Sequence, residues 1–206
     1  MSEKTIRELL KHSGAVVSGH FRLSSGRHGT TYINKNLAML VAADLFVIAS
    51  EIADRFSAKN IQAVVGPATG GIGLAAVTAV ALIQRGTRSN VMWGYAEKSE
   101  ADPDVFVFGR GFAEHLKGRR ILVVEDILTT GASARKVVDA ARTIGGNVVG
   151  FSAIVNRGGV TSKDLGHPGT FSPLLSLTLP TFEPSECPEC LAGTPLSTTL
   201  GHAPKP

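Results

Sequence analysis

"RRILVVEDILTTGASARKVVDAAR", Arg119 to Arg142, is the stretch on which the fold turns. Ile121 to Val124 is an unbroken aliphatic run, the pattern of a strand covered on both faces rather than one. Glu125 and Asp126 follow at its carboxyl end, the end where open parallel sheets bind ligands. Carboxylates there must meet water, hydroxyls or a cation, because unpaired burial is costly. Thr129, Thr130, Gly131, Ala132 and Ser133 then turn the chain into a helix expected over 132–144. Small residues at a helix N-terminus offer free backbone N–H groups, hydroxyls and the positive end of the dipole, which together hold a phosphate. Two hydroxyl acceptors beside a phosphate cradle have the shape of a ribose 5-phosphate. The competing reading is a plain cap by Asp126 and Thr129. A Walker loop is a poor match because no Gly-Lys-Ser/Thr closes the turn, and "GPATGG" lacks the dinucleotide spacing.

Outward from this stretch, helical and strand-like segments alternate. A helix is expected near 4–12, short strands at 15–17, 20–23 and 30–33, and a long helix from Leu40 to Phe56. "QAVVGPATGG" reads as strand then loop, followed by a helix over 72–84 and a strand over 90–95. "NVVGFSAIVNR", 147–157, is a further buried strand. Helices between apolar strands indicate an α/β fold with a parallel sheet flanked by helices. The segment Ser99–Asp104 is acidic and poor in apolar residues, so it is expected to be mobile without substrate.

The chain has 206 residues, 43% hydrophobic and 18% charged, which fits one globular domain. Its net charge of +4 suits a phosphate-rich partner. The basic residues are scattered and only 6% of residues are aromatic, so a small phosphorylated substrate is expected and no nucleic acid. No apolar run approaches the roughly 18 residues that span a bilayer, and the polar N-terminus has no signal-like core. A cytoplasmic protein with no membrane partner is expected. Cys187 and Cys190 form one CxxC pair, half of a zinc site, and only two chains of a dimer could supply four thiolates. The pair is therefore read as reduced cysteines on a surface turn. His20, His28 and His115 show no metal spacing and are read as surface residues.

"VVEDILTTGAS" resembles the 5-phosphoribosyl-1-pyrophosphate (PRPP) signature of type I phosphoribosyltransferases. "FRLSSGRHGTTYINK", Phe21 to Lys35, is similar to the N-terminal hood of the orotate branch. "VVGPATGGIGLA", "GYAEK" and "NRGG" are similar to that branch's pyrophosphate loop, its strand ending in a PRPP-binding Lys, and its orotate-gripping Arg. "CPECLAGTPLSTTLG" is similar to the tails of one bacterial and archaeal branch. The resemblance covers nearly the whole chain. It implies a type I phosphoribosyltransferase-like domain over 1–182, with a small hood mainly over 1–37 and a C-terminal tail over 183–206.

The implied activity is transfer of phosphoribosyl from PRPP to orotate, with Mg²⁺, in a homodimer whose loop covers the partner's site. The implied catalytic residues are Glu125, Asp126 and Lys98. PRPP would be bound by Glu125, Asp126, Ile127, Leu128, Thr129, Thr130, Gly131, Ala132, Ser133, Thr69, Gly70, Gly71 and Lys98. Orotate would be bound by Thr129, Arg157, Tyr32 and Ile33. The metal has no firmly assigned protein ligand and would be held mainly by PRPP. The sequence departs from many relatives at Ser24, Gly70 and Glu97, and its mobile loop has neither Lys nor His. Lys35, Lys98, Arg27 and Arg110 are the cations available instead. A purine phosphoribosyltransferase and a PRPP-binding regulator without catalysis are the alternatives.

Overall fold

The computed structural model describes residues 3–23, 25–86 and 88–201. Ser24, one of the departures noted above, lies outside them. The elements in chain order are α1 (Glu3–His12), β1 (Val16–Arg22), β2 (His28–Ile33), α2 (Lys35–Ala38), α3 (Ala42–Phe56), β3 (Ala63–Pro67), α4 (Gly70–Gln84), β4 (Met92–Lys98) and β5 (Phe106–Val107). They continue with α5 (Phe112–Leu116), β6 (Arg120–Leu128), α6 (Ala132–Thr143), β7 (Asn147–Asn156), β8 (Thr170–Phe171), β9 (Leu175–Ser176), β10 (Thr181–Phe182) and α7 (Pro188–Leu191).

The main sheet runs β5-β4-β3-β6-β7-β8, with β9 also on β7, and only the β4–β5 pair is antiparallel. The aliphatic run of β6 shows why the strand must be central. Leu122 and Val124 enter the core with α3 and α4, while Ile121 and Val123 enter the opposite core with α6. All four are fully buried, each contributing about 1.5–3 kcal/mol of transfer free energy. A polar side chain at any of them would lack water on either face. This confirms the α/β reading.

Some boundaries shift. The helix expected from Leu40 begins at Ala42, after the separate turn of α2. Leu40 and Val41, which supplied apolar periodicity to the sequence pattern, face solvent in the intervening turn. The segment Ser99–Asp104 is the connection of a tight hairpin: Ser99 N donates to Val105 O, and Lys136 holds Asp104 at 2.8 Å. Among the described residues, no helix is long and apolar enough to cross a membrane.

The hood is a second, three-stranded sheet in the order β1-β2-β10, so its third strand comes from the far end of the chain. Beyond β10 the tail folds back along the hood. Arg27 binds Glu183 and Thr181, and Ser197 N donates to His20 O at 2.8 Å. Two expectations are corrected here. His20 and His28 are buried, as is Cys187, and Cys190 is half-buried. These four side chains face one another between the hood and the tail, so neither the histidines nor the cysteine pair lies on the free surface. His115 is exposed, as expected. The burial was hidden because the packing partners stand about 160 residues apart in the chain.

Candidate active site

The carboxyl ends of β3, β4 and β6 meet at a cavity of about 280 Å³. Its floor is Glu125 to Leu128, and its rim is the turn Thr129 to Ser133 leading into α6. Gly131 is left-handed at φ 77, which lets the chain reverse into the helix. A Cβ there would also come within 3.0 Å of Val160 Cγ1. The first N–H groups of α6 have no intrahelical acceptor, by helix geometry. Opposite this rim stand Thr69, Gly70 and Lys98, with Lys35 and Phe106 closing the sides. The Ala68–Thr69 peptide is cis.

The two carboxylates differ. Glu125 is buried, and its side chain accepts from Asp126 N at 3.1 Å. Burial first, and then the neighbouring Asp126 charge, push its pKa up to about 8. Asp126 is also buried; its Oδ1 accepts from Ile127 N at 2.6 Å. Its Oδ2 stands 2.9 Å from Lys35 Nζ, an ion-pair contact without the alignment of a hydrogen bond. Burial works against the Lys35 ammonium, but the Asp126 contact outweighs it and raises its pKa. Gly70 makes this pairing possible, since a Cβ there would lie 2.8 Å from Asp126 Cγ and 3.0 Å from Lys35 Nζ.

A second cavity of about 600 Å³ adjoins the first and shares Lys35, Asp126, Ile127, Thr129 and Thr130 with it. The hood supplies Tyr32 and Ile33, the end of β7 supplies Arg157 and Gly158, and the chain before β10 supplies Thr178 and Leu179. Tyr32 stacks obliquely on Phe21 with ring centroids 5.4 Å apart. Burial lowers the Arg157 pKa, and among the described residues no acidic side chain pairs with it. A half-buried guanidinium without a carboxylate suits an anionic ligand.

The structure therefore gathers the residues singled out in the sequence around two joined cavities. Gly71 is the exception: it packs against Gly66 and Pro67 and lines neither cavity. Of the four spare cations, Lys35 and Lys98 face the first cavity. Arg27 is occupied by the tail, and Arg110 lies 3.6 Å from Glu97 on the exposed side. Lys35, Phe106, Thr178 and Leu179 were not among the assigned site residues. Lys35 had a signal, as the cation closing the hood motif. The others had none, because they arrive through tertiary packing.

A parallel sheet whose central strand ends in paired carboxylates and then turns over a helix N-terminus defines the phosphoribosyl-transfer class of α/β folds. The chain belongs to the phosphoribosyl transferase domain family, whose model matches residues 33–171. It is 36% identical to an orotate phosphoribosyltransferase of Caldanaerobacter subterraneus, over 95% of this chain and 96% of that one. It is similar to the Mycobacterium tuberculosis orotate phosphoribosyltransferase solved with Fe(III) dicitrate, at TM-score 0.69 and 26% identity over 85% of this chain and 96% of that one. The mycobacterial enzyme solved with PRPP superposes at TM-score 0.66 and 24% identity over 85% and 96% of the two chains, a likeness of fold.

Proposed function

We propose that this chain is an orotate phosphoribosyltransferase, joining orotate to the ribose of PRPP with release of pyrophosphate. The single observation that carries this is the pair of joined cavities. One has a carboxylate pair and a helix N-terminus for a phosphorylated sugar, and the other has an unpaired guanidinium for a planar carboxylate. The named relatives support the same base.

Orotate N1 attacks C1 of the donor while the bond to pyrophosphate breaks. The turn Thr129–Ser133 holds the 5-phosphate, so C1 is placed over the shared wall of the two cavities. Glu125 and Asp126 meet the 2- and 3-hydroxyls, and the Asp126 carboxylate offsets the positive charge that builds on the ribose ring. Lys35 and Lys98 face the departing pyrophosphate, in place of the cations that Gly70 and Glu97 do not supply. Arg157 grips the orotate carboxylate against Tyr32 and Ile33. Fixed position and preorganised charge together can account for several kcal/mol of barrier lowering.

Mg²⁺ fits this reading. Asp126 Oδ2 is buried, meets Lys35 Nζ at 2.9 Å and lies beside a second carboxylate. Glu125 and Asp126 would hold the ion together with substrate oxygens and water, and the ion would neutralise charge on the leaving group.

We further propose a homodimer. The packed helices α3 and α4 leave Phe46, Val80 and Ile83 exposed, and Arg110 is exposed and lines neither of its own chain's two cavities. The test of function is the absorbance change of orotate on mixing protein, Mg²⁺ and PRPP. Consumption of orotate supports the reading. Consumption of adenine, hypoxanthine or guanine with orotate inert assigns the site to purines. PRPP binding with no base consumed assigns it to a regulator.

A further inference from the structure

The four buried or half-buried side chains between hood and tail have a chemistry the phosphoribosyl site does not use. His20 Nε2 lies 2.9 Å from His28 Nδ1, 3.5 Å from Cys187 Sγ and 3.6 Å from Cys190 Sγ. His28 Nδ1 lies 3.2 Å from Cys190 Sγ, and all four donor atoms lie within 4.8 Å of one another. Tetrahedral zinc, with bonds of about 2.0–2.1 Å to nitrogen and about 2.3 Å to sulfur, sets its ligand atoms roughly 3.3–3.8 Å apart. The observed spacings, from 2.9 Å up to at most 4.8 Å, bracket that figure and reach it with shifts of about 1 Å or less.

The surroundings fix the donor character of the cluster. His20 Nδ1 sits 2.7 Å from the Thr194 carbonyl oxygen, which can only accept, so Nδ1 carries the proton and Nε2 presents its lone pair inward. A ligating histidine held by its other nitrogen on a carbonyl is the usual outer support of a zinc site. The cysteines stand at either end of a Cys-x-x-Cys turn, and Gly193 after it is left-handed at φ 71. A bulge in β1 between Ser18 and Phe21 brings His20 toward His28, with ring centroids 4.8 Å apart. Two thiolates would balance one divalent cation, so the burial leaves no net charge behind. Oxygen-preferring cations find no oxygen ligand in this set.

We propose that His20, His28, Cys187 and Cys190 form a structural zinc site within a single chain, fastening the C-terminal tail to the hood. The ligands come in pairs from the two ends of the sequence. Such a clip closes a very long loop, where a cross-link removes the most freedom from the unfolded chain. It also joins β1 and β2 to the chain that follows β10, and Ile33 of β2 and Thr181 of β10 line the second cavity, so it would stiffen the hood over that cavity.

The test uses the full chain, produced in zinc-supplemented medium and freed of loose metal by gel filtration. Elemental analysis should give about one zinc per chain, as a closed four-ligand site requires. Exchange into Co²⁺ should give the intense visible bands of a tetrahedral thiolate-bound ion. His28→Cys keeps a competent ligand set and should retain the metal, whereas His28→Gln should lose most of it. A merely hydrogen-bonded histidine pair would not rank these two variants in that order. Chelation should lower the melting temperature of the wild type but not of a Cys187→Ser, Cys190→Ser double variant. The proposal is overturned by wild-type protein that holds no zinc and gives no tetrahedral cobalt spectrum. A Cys187–Cys190 disulfide in the protein as isolated overturns it too, and half a zinc per chain assigns the metal to a site shared between chains. The wild-type measurements decide the matter even if a variant fails to fold.

Discussion

Replacing Gly158 by alanine would test how the two cavities are locked together. Arg157 N and Gly158 N both donate to the Leu128 carbonyl, at 3.0 and 3.2 Å, so the end of β7 hangs on the strand that carries Glu125 and Asp126. A Cβ on Gly158 would lie 2.5 Å from the Thr129 carbonyl carbon and 3.0 Å from its Cα, and closer still to its oxygen. Carbon atoms pack at about 3.5–4.0 Å, so the two backbones must part by roughly 1 Å or more. Nothing flexible intervenes, because the obstructing atoms are backbone. Overpacking of this kind costs typically about 1–3 kcal/mol, or a fall in Tm of roughly 2–12 °C for a chain of this length. The same displacement moves Arg157 relative to Thr129, and a shift of about 1 Å at reacting groups can cost about a hundredfold in rate. The assay is orotate consumption under varied orotate and PRPP, with thermal unfolding alongside. Gly118→Ala is the control: Gly118 is left-handed at φ 72 with no atom within 4 Å of an added Cβ. It should cost about 1–2 kcal/mol of backbone strain and leave kcat/KM unchanged. If Gly158→Ala matches Gly118→Ala in stability and keeps wild-type kcat/KM for orotate, the close approach does not position Arg157.

Three further outcomes follow from the site. Arg157→Ala should raise the orotate KM by about a hundredfold, from the loss of roughly 3 kcal/mol of charge-assisted hydrogen bonding, and leave PRPP affinity nearly intact; equal losses for both substrates would contradict its role. Asp126→Asn keeps the oxygen that accepts from Ile127 N, so the fold should persist while kcat falls about 10²–10³-fold; unchanged turnover would remove Asp126 from the chemistry. Glu125 has its folded pKa raised from 4.5 to about 8, so its contribution to stability is complete below pH 4.5 and is lost as pH rises toward 8. Ligand-free protein should therefore lose at most about 5 kcal/mol from this group across that range, and Glu125→Gln should flatten the slope of Tm against pH; an equal slope in the variant would refute the assignment.

The sequence by itself determined the layout around β6. A doubly covered strand must be apolar throughout, a ligand-facing end may be charged, and a helix N-terminus over a phosphate needs small residues. These constraints act between near neighbours, so "ILVVEDILTTGAS" displays them without any knowledge of packing. Lys98 and Arg157 were singled out by the resemblance of "GYAEK" and "NRGG" to family motifs, each a short stretch at a strand end.

Contacts between distant segments were decided only by the tertiary structure. Lys35 takes up Asp126 because Gly70 leaves room for both, a fact about three separate elements. Thr178 and Leu179 reach the second cavity because β10 pairs with β2. The tail looked like a surface segment because its own residues are Pro-, Gly- and Ser-rich and bury little against each other. Most of it is indeed exposed, but Cys187 is buried and Cys190 half-buried against the hood, where they meet His20 and His28. A motif search along the chain finds a CxxC and no second pair. The complementary ligands are two histidines at the other end of the sequence, brought there by a bulged hairpin, and nothing local in the pattern of either segment encodes that meeting.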